Sequence, residues 1–123
     1  MELFSFERLE VWQKSRLLVK DVYAIISKFP ASEKFGLSSQ LGRAIISVPS
    51  NIAEGCGRIS LKERAHFYEI AYGSLMESVT QLILAVDLNY ITQNDYDSIQ
   101  PKIVEIAKMI SGLRKSILSK VNS

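Results

Sequence analysis

The chain has 123 residues, of which 47% are hydrophobic and 23% charged, and its formal charge is +2. This length and composition predict one globular domain over residues 1–123. The charge is well below that of a dedicated nucleic-acid-binding domain. The single cysteine, Cys56, excludes an internal disulfide. Since no signal-peptide pattern and no apolar run of about 20 residues occurs, we expect a cytoplasmic protein without a membrane anchor.

The first predicted helix spans about Arg8 to Lys28 and follows a short lead-in over residues 1–7. Its apolar residues recur every three or four positions and form two adjacent rows. The inner row is Val11, Ser15, Leu18, Val22, Ile25 and Phe29, and the outer row is Leu9, Trp12, Val19, Tyr23 and Ile26. Pro30 is expected to end the helix, because the residue before a proline disfavours helical dihedral angles.

The second predicted helix runs from about Ser38 to Cys56, and Gly55 and Gly57 are expected to end it. Its core stripe is Leu37, Leu41, Ile45, Val48 and Ile52. Pro49 lies in the interior, where a proline costs about 3 kcal/mol and favours a kink. The amide of Asn51 is expected to bond a carbonyl that the proline leaves free, about one turn back.

The third predicted helix begins at Ser60, which forms a capping-box pattern with Glu63. It is expected to end near Asn89, after about 29 residues or 43 Å. Its inward positions are Phe67, Ile70, Ala71, Ser74, Leu75, Ser78, Val79, Leu82, Ile83 and Val86. The segment 88–91 is expected to form the turn that follows.

The fourth helix is predicted to start at Thr92, which forms a capping pattern with Asp95, and Pro101 leaves the alternative that regular helix begins nearer Gln100. Its seam repeats every 3.5 residues on average: Ile99, Ile103, Ile106, Ile110, Leu113 and Ile117. Four helices, short loops and no strand pattern predict an all-α, antiparallel, up-down-up-down four-helix bundle.

Two helices carry more apolar surface than a four-helix core requires. The surplus residues are Ile46, Ala53 and Cys56 on the second helix and Tyr68, Tyr72 and Met76 on the third. Such surface favours self-association, with a wide core and ordinary exposed aromatics as the alternative.

The sequence offers little for catalysis or metal binding. His66 is the single histidine and Cys56 the single cysteine, so paired-histidine and thiolate metal sites are excluded. Glu63 and His66 have the Glu-x-x-His spacing of di-iron bundles, but the motif occurs once and those bundles need two copies. We predict no metal, no cofactor and no catalytic residue. An enzyme centred on Cys56 or Glu54 is kept as the less favoured alternative.

Basic residues gather in two places. Arg58, Lys62 and Arg64 cluster in and after the second loop, and the last helix carries Lys102, Lys108, Arg114, Lys115 and Lys120. Cations also complement a helix C-terminus, which explains part of the second group. In an oligomer these modest patches would repeat around an axis and attract RNA or DNA.

Several segments resemble a known family. They are 6–14 (FERLEVWQK), 35–40 (FGLSSQ), 47–55 (SVPSNIAEG), 67–75 (FYEIAYGSL) and 88–91 (LNYI), together with Arg43 and Arg58. These residues resemble the bacterial four-helix-bundle proteins encoded in intervening sequences of 23S ribosomal RNA genes. The resemblance implies a homopentameric ring without established enzymatic activity. It also implies kinship with accessory proteins of diversity-generating retroelements, which are thought to bind nucleic acid and a reverse transcriptase.

The resemblance also suggests roles for individual residues. Arg43, Pro49, Asn51, Glu54 and Gly55 fall on motif positions with expected structural or assembly roles, including an ion pair of Glu54 with Arg43 or Arg58. The candidate nucleic-acid contacts are Arg43, Arg58, Lys62, Arg64, Lys108, Arg114, Lys115 and Lys120. Expected partners are further copies of the chain, RNA or DNA, and a protein such as a reverse transcriptase. A protein-interaction adaptor is the alternative function.

Overall fold

The structure, a computed structural model, describes residues 3–121. Its four helices are α1 (Glu10–Ile26), α2 (Leu37–Cys56), α3 (Leu61–Asp87) and α4 (Gln93–Val121), with 3-10 turns at Ser5–Arg8 and Ala31–Glu33. No strand occurs within residues 3–121, so the prediction of an all-α chain with four helices is confirmed. None of the helices in this range is long and apolar enough to cross a bilayer.

The core follows the predicted stripes of α1, α2 and α4. The inner row of α1 is buried in full, as are four of the five stripe positions of α2 and five of the six seam positions of α4. The exceptions, Leu37 and Leu113, are half-buried and pack against the core. Because these side chains lie on one face of each helix, the three helices bury their apolar surface toward a common centre.

The inward face of α3 differs from the prediction. Ile70 and Ile83, predicted to point inward, are 38% and 44% exposed, whereas Tyr68, predicted as surplus surface, is only 2% exposed. Gly55 on α2 explains the position of Tyr68, since a Cβ atom at Gly55 would lie 2.8 Å from the Tyr68 ring. The missing side chain makes room for the ring, so Tyr68 belongs to the core.

The ends of α1 and α2 refine the predicted boundaries. The lead-in forms a 3-10 turn at Ser5–Arg8, and α1 begins at Glu10. The second helix continues through Pro49, and Gly57 is its C-terminal cap. Gly55 does not end the helix as predicted but lies buried inside it, because its role is to receive the Tyr68 ring.

The turn between α3 and α4 has a defined hydrogen-bond pattern. The helix ends at Asp87, slightly before the predicted Asn89, and Asn89 adopts a left-handed conformation with φ of 61°. The N–H of Tyr90 donates to the Ala85 carbonyl at 2.9 Å and that of Asn89 to Val86 at 3.0 Å. This is the Schellman arrangement, in which the left-handed residue lets the last carbonyls find donors. The predicted turn at 88–91 is confirmed.

The fourth helix begins where its capping pattern predicts. The N–H of Asp95 donates to the Thr92 hydroxyl at 3.0 Å, and the N–H of Thr92 donates to the Asp95 carboxylate at 2.9 Å. This reciprocal cap starts the helix at Gln93, so the predicted start at Thr92 is confirmed and the later start of regular helix near Gln100 is wrong. Pro101 lies inside the helix, on its exposed side.

Cross-helix contacts fix which ends of the helices meet. Along α1 and α4 the paired positions run in opposite order: Lys14 bonds Glu105, Asp21 bonds Lys102 at 2.8 Å, and Lys28 bonds Asp95 at 2.7 Å. Between α2 and α3 the same opposite order holds, with Ser47 bonded to Ser74 at 2.9 Å and Gly55 packed on Tyr68.

The helix termini therefore gather at two ends of the bundle. At one, which we call the tyrosine end, Tyr90 donates to Glu33 at 2.7 Å and its ring packs 5.8 Å from that of Phe29. At the other, which we call the basic end, Arg114 near the end of α4 lies 3.7 Å from Glu69 on the first turns of α3.

Candidate nucleic-acid interface and contact surfaces

The corner between α2 and α3 is held by side-chain bonds to the backbone. The Ser60 hydroxyl accepts from the N–H of Glu63 at 3.3 Å, which confirms the predicted start of α3. The Arg64 Nε donates to the carbonyl of Arg58 at 2.6 Å. The two arginines are thereby held on one short stretch of surface.

The guanidinium of Arg58 makes two contacts. Its Nη2 lies 2.9 Å from Glu54 Oε1, and the group lies 4.7 Å from the centroid of the Phe67 ring. Within the chain, Arg58 is thus the partner of Glu54. Arg43 is not, since it lies 11 positions earlier on α2, about 16 Å along the axis. The pair is exposed rather than buried, with side chains 41% and 51% accessible.

Five candidate nucleic-acid contacts share the basic end. Because Arg114 contacts Glu69, the last turns of α4 lie beside the first turns of α3. The shared residues are Arg58, Lys62, Arg64, Arg114 and Lys120. Lys62 is exposed and has no ion pair with any residue in the described range 3–121. The carboxylates of Glu54, Glu63 and Glu69 offset part of this positive charge.

The remaining candidates are Arg43, Lys108 and Lys115, of which Lys115 follows Arg114 at the basic end but lines a groove. Arg43 is exposed on α2, about 22 Å along the helix from Arg58, so the structure does not bring it to the basic end. Lys108 and Lys115 line a groove between α3 and α4 with a volume of about 500 Å³. The apolar side chains of Met76 and Val104 also line this groove. We call it the α3–α4 groove.

A second groove lies between α1 and α2, with a volume of about 420 Å³. Its lining is mainly apolar and consists of Phe6, Trp12, Val19, Ile46, Pro49 and Ala53, with Arg16 and Ser50. The rings of Phe6 and Trp12 meet edge to face at 5.0 Å. Of the predicted surplus residues, Ile46 is 45% exposed and Tyr72 36%, while Ala53, Cys56 and Met76 are half-buried. Of the six residues predicted as surplus apolar surface, only Tyr68 belongs to the core instead.

The motif residue Asn51 is held by α2 itself. Its amide nitrogen donates to the carbonyl of Ser47 at 2.8 Å and to the Ser47 hydroxyl at 2.7 Å. The bond reaches one turn back, as predicted. However, the carbonyl that loses its donor because Pro49 has no N–H is that of Ile45, four residues earlier, and not that of Ser47. The prediction that Asn51 bonds the freed carbonyl is therefore wrong. Asn51 thus bonds the same hydroxyl that accepts from Ser74 of α3, and it supports the α2–α3 contact from within α2.

Cys56 and His66 show no arrangement typical of a catalytic pair. The Cys56 sulfur lies 3.5 Å from the Ser5 hydroxyl, and His66 is exposed with its ring 6.1 Å from Phe67. Burial raises the pKa of the Tyr68 phenol, the nearby Cys56 raises it further, and Arg64 acts in the opposite direction. Across residues 3–121, no three acidic, histidine or cysteine side chains gather in a way that would hold a metal ion.

Sequence reasoning missed three residues with unusual surroundings. Gln81 is 6% exposed, and its Oε1 atom has no hydrogen-bond partner in the described part of the chain. Gly73 and Gly112 lie inside helices, yet no described atom comes within 4 Å of where a Cβ would stand. A glycine in a helix interior is an available sequence signal, because it costs about 1 kcal/mol relative to alanine.

Comparison with known proteins places these features in a family. The profile of a family described as 23S rRNA-intervening sequence protein matches residues 7–112. No curated protein matches the chain. One similar solved structure is a protein with unknown function from the S23 ribosomal protein family of Bacteroides thetaiotaomicron VPI-5482. It is 26% identical, covers 85% of this chain and 98% of its own, and superposes with a TM-score of 0.75.

Proposed function

Because this chain belongs to the 23S rRNA-intervening sequence protein family, we propose that it is a homo-oligomeric, non-enzymatic accessory protein of the cytoplasm that binds RNA or DNA. The observation that supports binding most directly is the convergence of five basic side chains on one end of the bundle. The proposal assigns no metal, cofactor or catalytic step to the chain.

Binding at the basic end is expected to be electrostatic. Each neutralised phosphate releases counterions, so affinity falls steeply with salt when several lysines and arginines act together. One copy of the chain offers few such contacts, partly offset by Glu54, Glu63 and Glu69. A ring would repeat the basic end on one side of its axis, and the summed field would exceed that of a single copy.

The proposed assembly is a homopentameric ring of antiparallel, up-down-up-down bundles. The opposite order of the cross-helix contacts supports the antiparallel arrangement. Two apolar grooves on different sides of the bundle support a head-to-tail contact, which can close into a ring. Light scattering after size-exclusion chromatography is expected to give about five times the 13.8 kDa of one chain. A mass of 13.8 kDa would contradict the assembly.

Nucleic-acid binding is tested by charge reversal with a matched control. The variant Lys62→Glu/Lys120→Glu reverses two charges at the basic end, and Lys20→Glu/Lys34→Glu reverses two exposed charges elsewhere. Fluorescence anisotropy with labelled single-stranded RNA, duplex RNA and duplex DNA is measured at several salt concentrations. We expect weaker binding and a smaller salt slope for the first variant only. Equal losses in both variants, or no binding of the wild type at low salt, would refute the proposal.

A second candidate function, docking of a protein partner on the ring, is favoured by Phe35. This side chain is 90% exposed at the tyrosine end, and Lys34 lies 5.5 Å over its ring. An exposed aromatic side chain of this kind is a common anchor in protein interfaces. If affinity purification from cells returns one protein with the wild type and loses it with Phe35→Ser, while nucleic acid does not bind, the adaptor function is the better description.

A further inference from the structure

One face of α3 is exposed in the described part of the chain. Ile70, Gly73, Glu77 and Leu84 follow one another at steps of three, four and seven, so they form a single stripe, which we call the α3 outer stripe. Ile70 is 38% exposed and Leu84 44%, although both are large apolar side chains. Exposed apolar residues aligned over several turns are typical of a contact surface.

Glu77 supplies the charge of the α3 outer stripe. Its side chain is exposed and forms no ion pair with a residue in the range 3–121. Its Oε1 accepts from Gln81 Nε2 at 3.3 Å, which holds the carboxylate in place on the helix. Glu77 therefore offers an accessible negative charge to an ammonium group from another copy.

The α3–α4 groove has the complementary features. Lys108 and Lys115 lie seven positions apart on α4, hence on one side of the helix, and both line the groove. Neither lysine has an ion pair with a residue in the range 3–121. Val104 in the same groove is 42% exposed and supplies apolar surface.

Two glycines mark the middle of these surfaces. Gly73 lies on the α3 outer stripe and Gly112 lines the α3–α4 groove, and a Cβ atom at either position would meet no described atom within 4 Å. Packing inside the chain thus gives no reason for glycine at either place. Glycine allows another backbone to come close, so both surfaces are suited to a tight helix contact.

We propose that the α3 outer stripe of one copy docks into the α3–α4 groove of the next copy, with Lys108 and Lys115 placed against Glu77. This inference rests on the proposed self-association and names the surfaces that carry it. The stripe and the groove use different positions of α3, so every copy presents both. A contact between unlike surfaces repeats head to tail and either closes into a ring or continues as a filament.

The docking assigns Lys108 and Lys115 to the contact between copies rather than to nucleic acid. The basic end retains Arg58, Lys62, Arg64, Arg114 and Lys120 for phosphates. Assembly and nucleic-acid binding then depend on different side chains and can be separated by mutation.

The test is a charge swap followed by light scattering. Glu77→Lys and Lys108→Glu/Lys115→Glu each place like charges across the contact, and each is expected to lower the mass of the assembly. The combined triple variant restores opposite charges and is expected to recover it. Glu10→Lys on α1 reverses an exposed charge outside both surfaces and is expected to leave the mass unchanged. Circular dichroism checks that every variant is helical.

A steric variant gives an independent readout. Gly73→Leu adds a side chain where the single copy has open space, so folding is expected to be unaffected while the assembly dissociates at concentrations at least tenfold higher than for the wild type. If the wild type assembles and both Glu77→Lys and Gly73→Leu keep its mass, the docking is refuted and the proposed function stands. A monomeric wild type refutes the self-association itself.

Discussion

The two ends of the bundle use similar residues in different ways. At the tyrosine end the Asp95 carboxylate accepts from Lys28 at 2.7 Å and from the N–H of Thr92 at 2.9 Å. Glu33 accepts from the Tyr90 hydroxyl at 2.7 Å and from the N–H of Leu37 at 3.0 Å. Each of these two carboxylates accepts two hydrogen bonds, and together they join two loops to the helices.

At the basic end the charges are less strongly tied. Arg58 pairs with an exposed glutamate, Arg114 lies at 3.7 Å from Glu69, and Lys62 has no ion pair in the described range. The carboxylates of the tyrosine end thus serve the fold. At the basic end Ser60 and Arg64 hold the α2–α3 corner, while Lys62 leaves positive charge exposed to solvent. We therefore expect substitutions at the tyrosine end to change stability and charge substitutions at the basic end to change binding.

The largest stability effect is expected from Gly55, the one place at the basic end where packing is tight. In Gly55→Val the new Cβ would lie 2.8 Å from the Tyr68 ring and 3.0 Å from the Cβ of Phe67. Overpacking of this kind costs about 1–3 kcal/mol. Urea denaturation measures it, with Gly57→Ala as the control, because a Cβ there makes only ordinary contacts. Equal midpoints for Gly55→Val and the wild type would show that the α2–α3 contact is loose.

Each end of the bundle has a helix cap, so the loss of stability on removing a cap can be compared between the two ends. Thr92→Ala removes the 3.0 Å bond from the Asp95 N–H to the Thr92 hydroxyl, and loss of such a capping side chain costs about 1 kcal/mol. Ser60→Ala removes a single bond of 3.3 Å at the basic end and is expected to cost less. Thermal unfolding of the two variants checks the order. A larger loss for Ser60→Ala would contradict the assignment of the tyrosine end as the more strongly bonded one.

The charge of Asp95 at the tyrosine end is expected to make the stability of the protein depend on pH. The bond from Lys28, followed by the bond from the Thr92 N–H, lowers the pKa of Asp95 from 3.8 to about 2. A lowered carboxyl pKa contributes stability above pH 3.8 and loses it as the pH falls toward 2. Asp95→Asn is therefore less stable than the wild type at pH 7, and the difference shrinks below pH 4. A constant difference in melting temperature from pH 7 to about pH 2 would exclude this cause.

The smallest stability effect is expected from Arg58→Gln at the basic end. Its ion pair with Glu54 is exposed, and such pairs contribute about 0.2–1 kcal/mol. The contact with the Phe67 ring adds an effect of similar size. Nucleic-acid affinity is expected to fall more than stability, which anisotropy and urea denaturation measure on the same sample. The reverse result would make Arg58 a structural residue.

The sequence predicts the helices well where one helix can be considered by itself. The spacing of apolar residues in α1, α2 and α4 identifies their buried faces, and the Ser60 cap identifies the start of α3. It fails for Tyr68 and Ile70, because the position of the Tyr68 ring depends on the space left by Gly55 on another helix. Periodicity along one helix carries no information about a gap in its neighbour.

The candidate site is predicted less completely than the fold. The clustering of Arg58, Lys62 and Arg64 follows from their proximity in sequence, and the Arg58–Glu54 pair follows from their spacing on a helix. The position of Arg43 and the missing donor of Gln81 depend on how α2 and α3 pack, which a linear pattern does not contain. Two features of the sequence do indicate these surfaces: the surplus apolar residues Tyr72 and Met76, which line the α3–α4 groove, and the interior glycines Gly73 and Gly112.

The hydroxyl contacts between α2 and α3 have a consequence for register. Ser74 of α3 donates to Ser47 of α2, and Asn51 donates to the same serine from within α2. Only the Ser74–Ser47 bond crosses between the two helices, so a shift of α3 by one or two residues would break it, whereas a purely apolar seam would tolerate the shift more easily. The serine pair thus favours one alignment of two long helices, and that alignment determines which residues of α2 and α3 meet at the basic end.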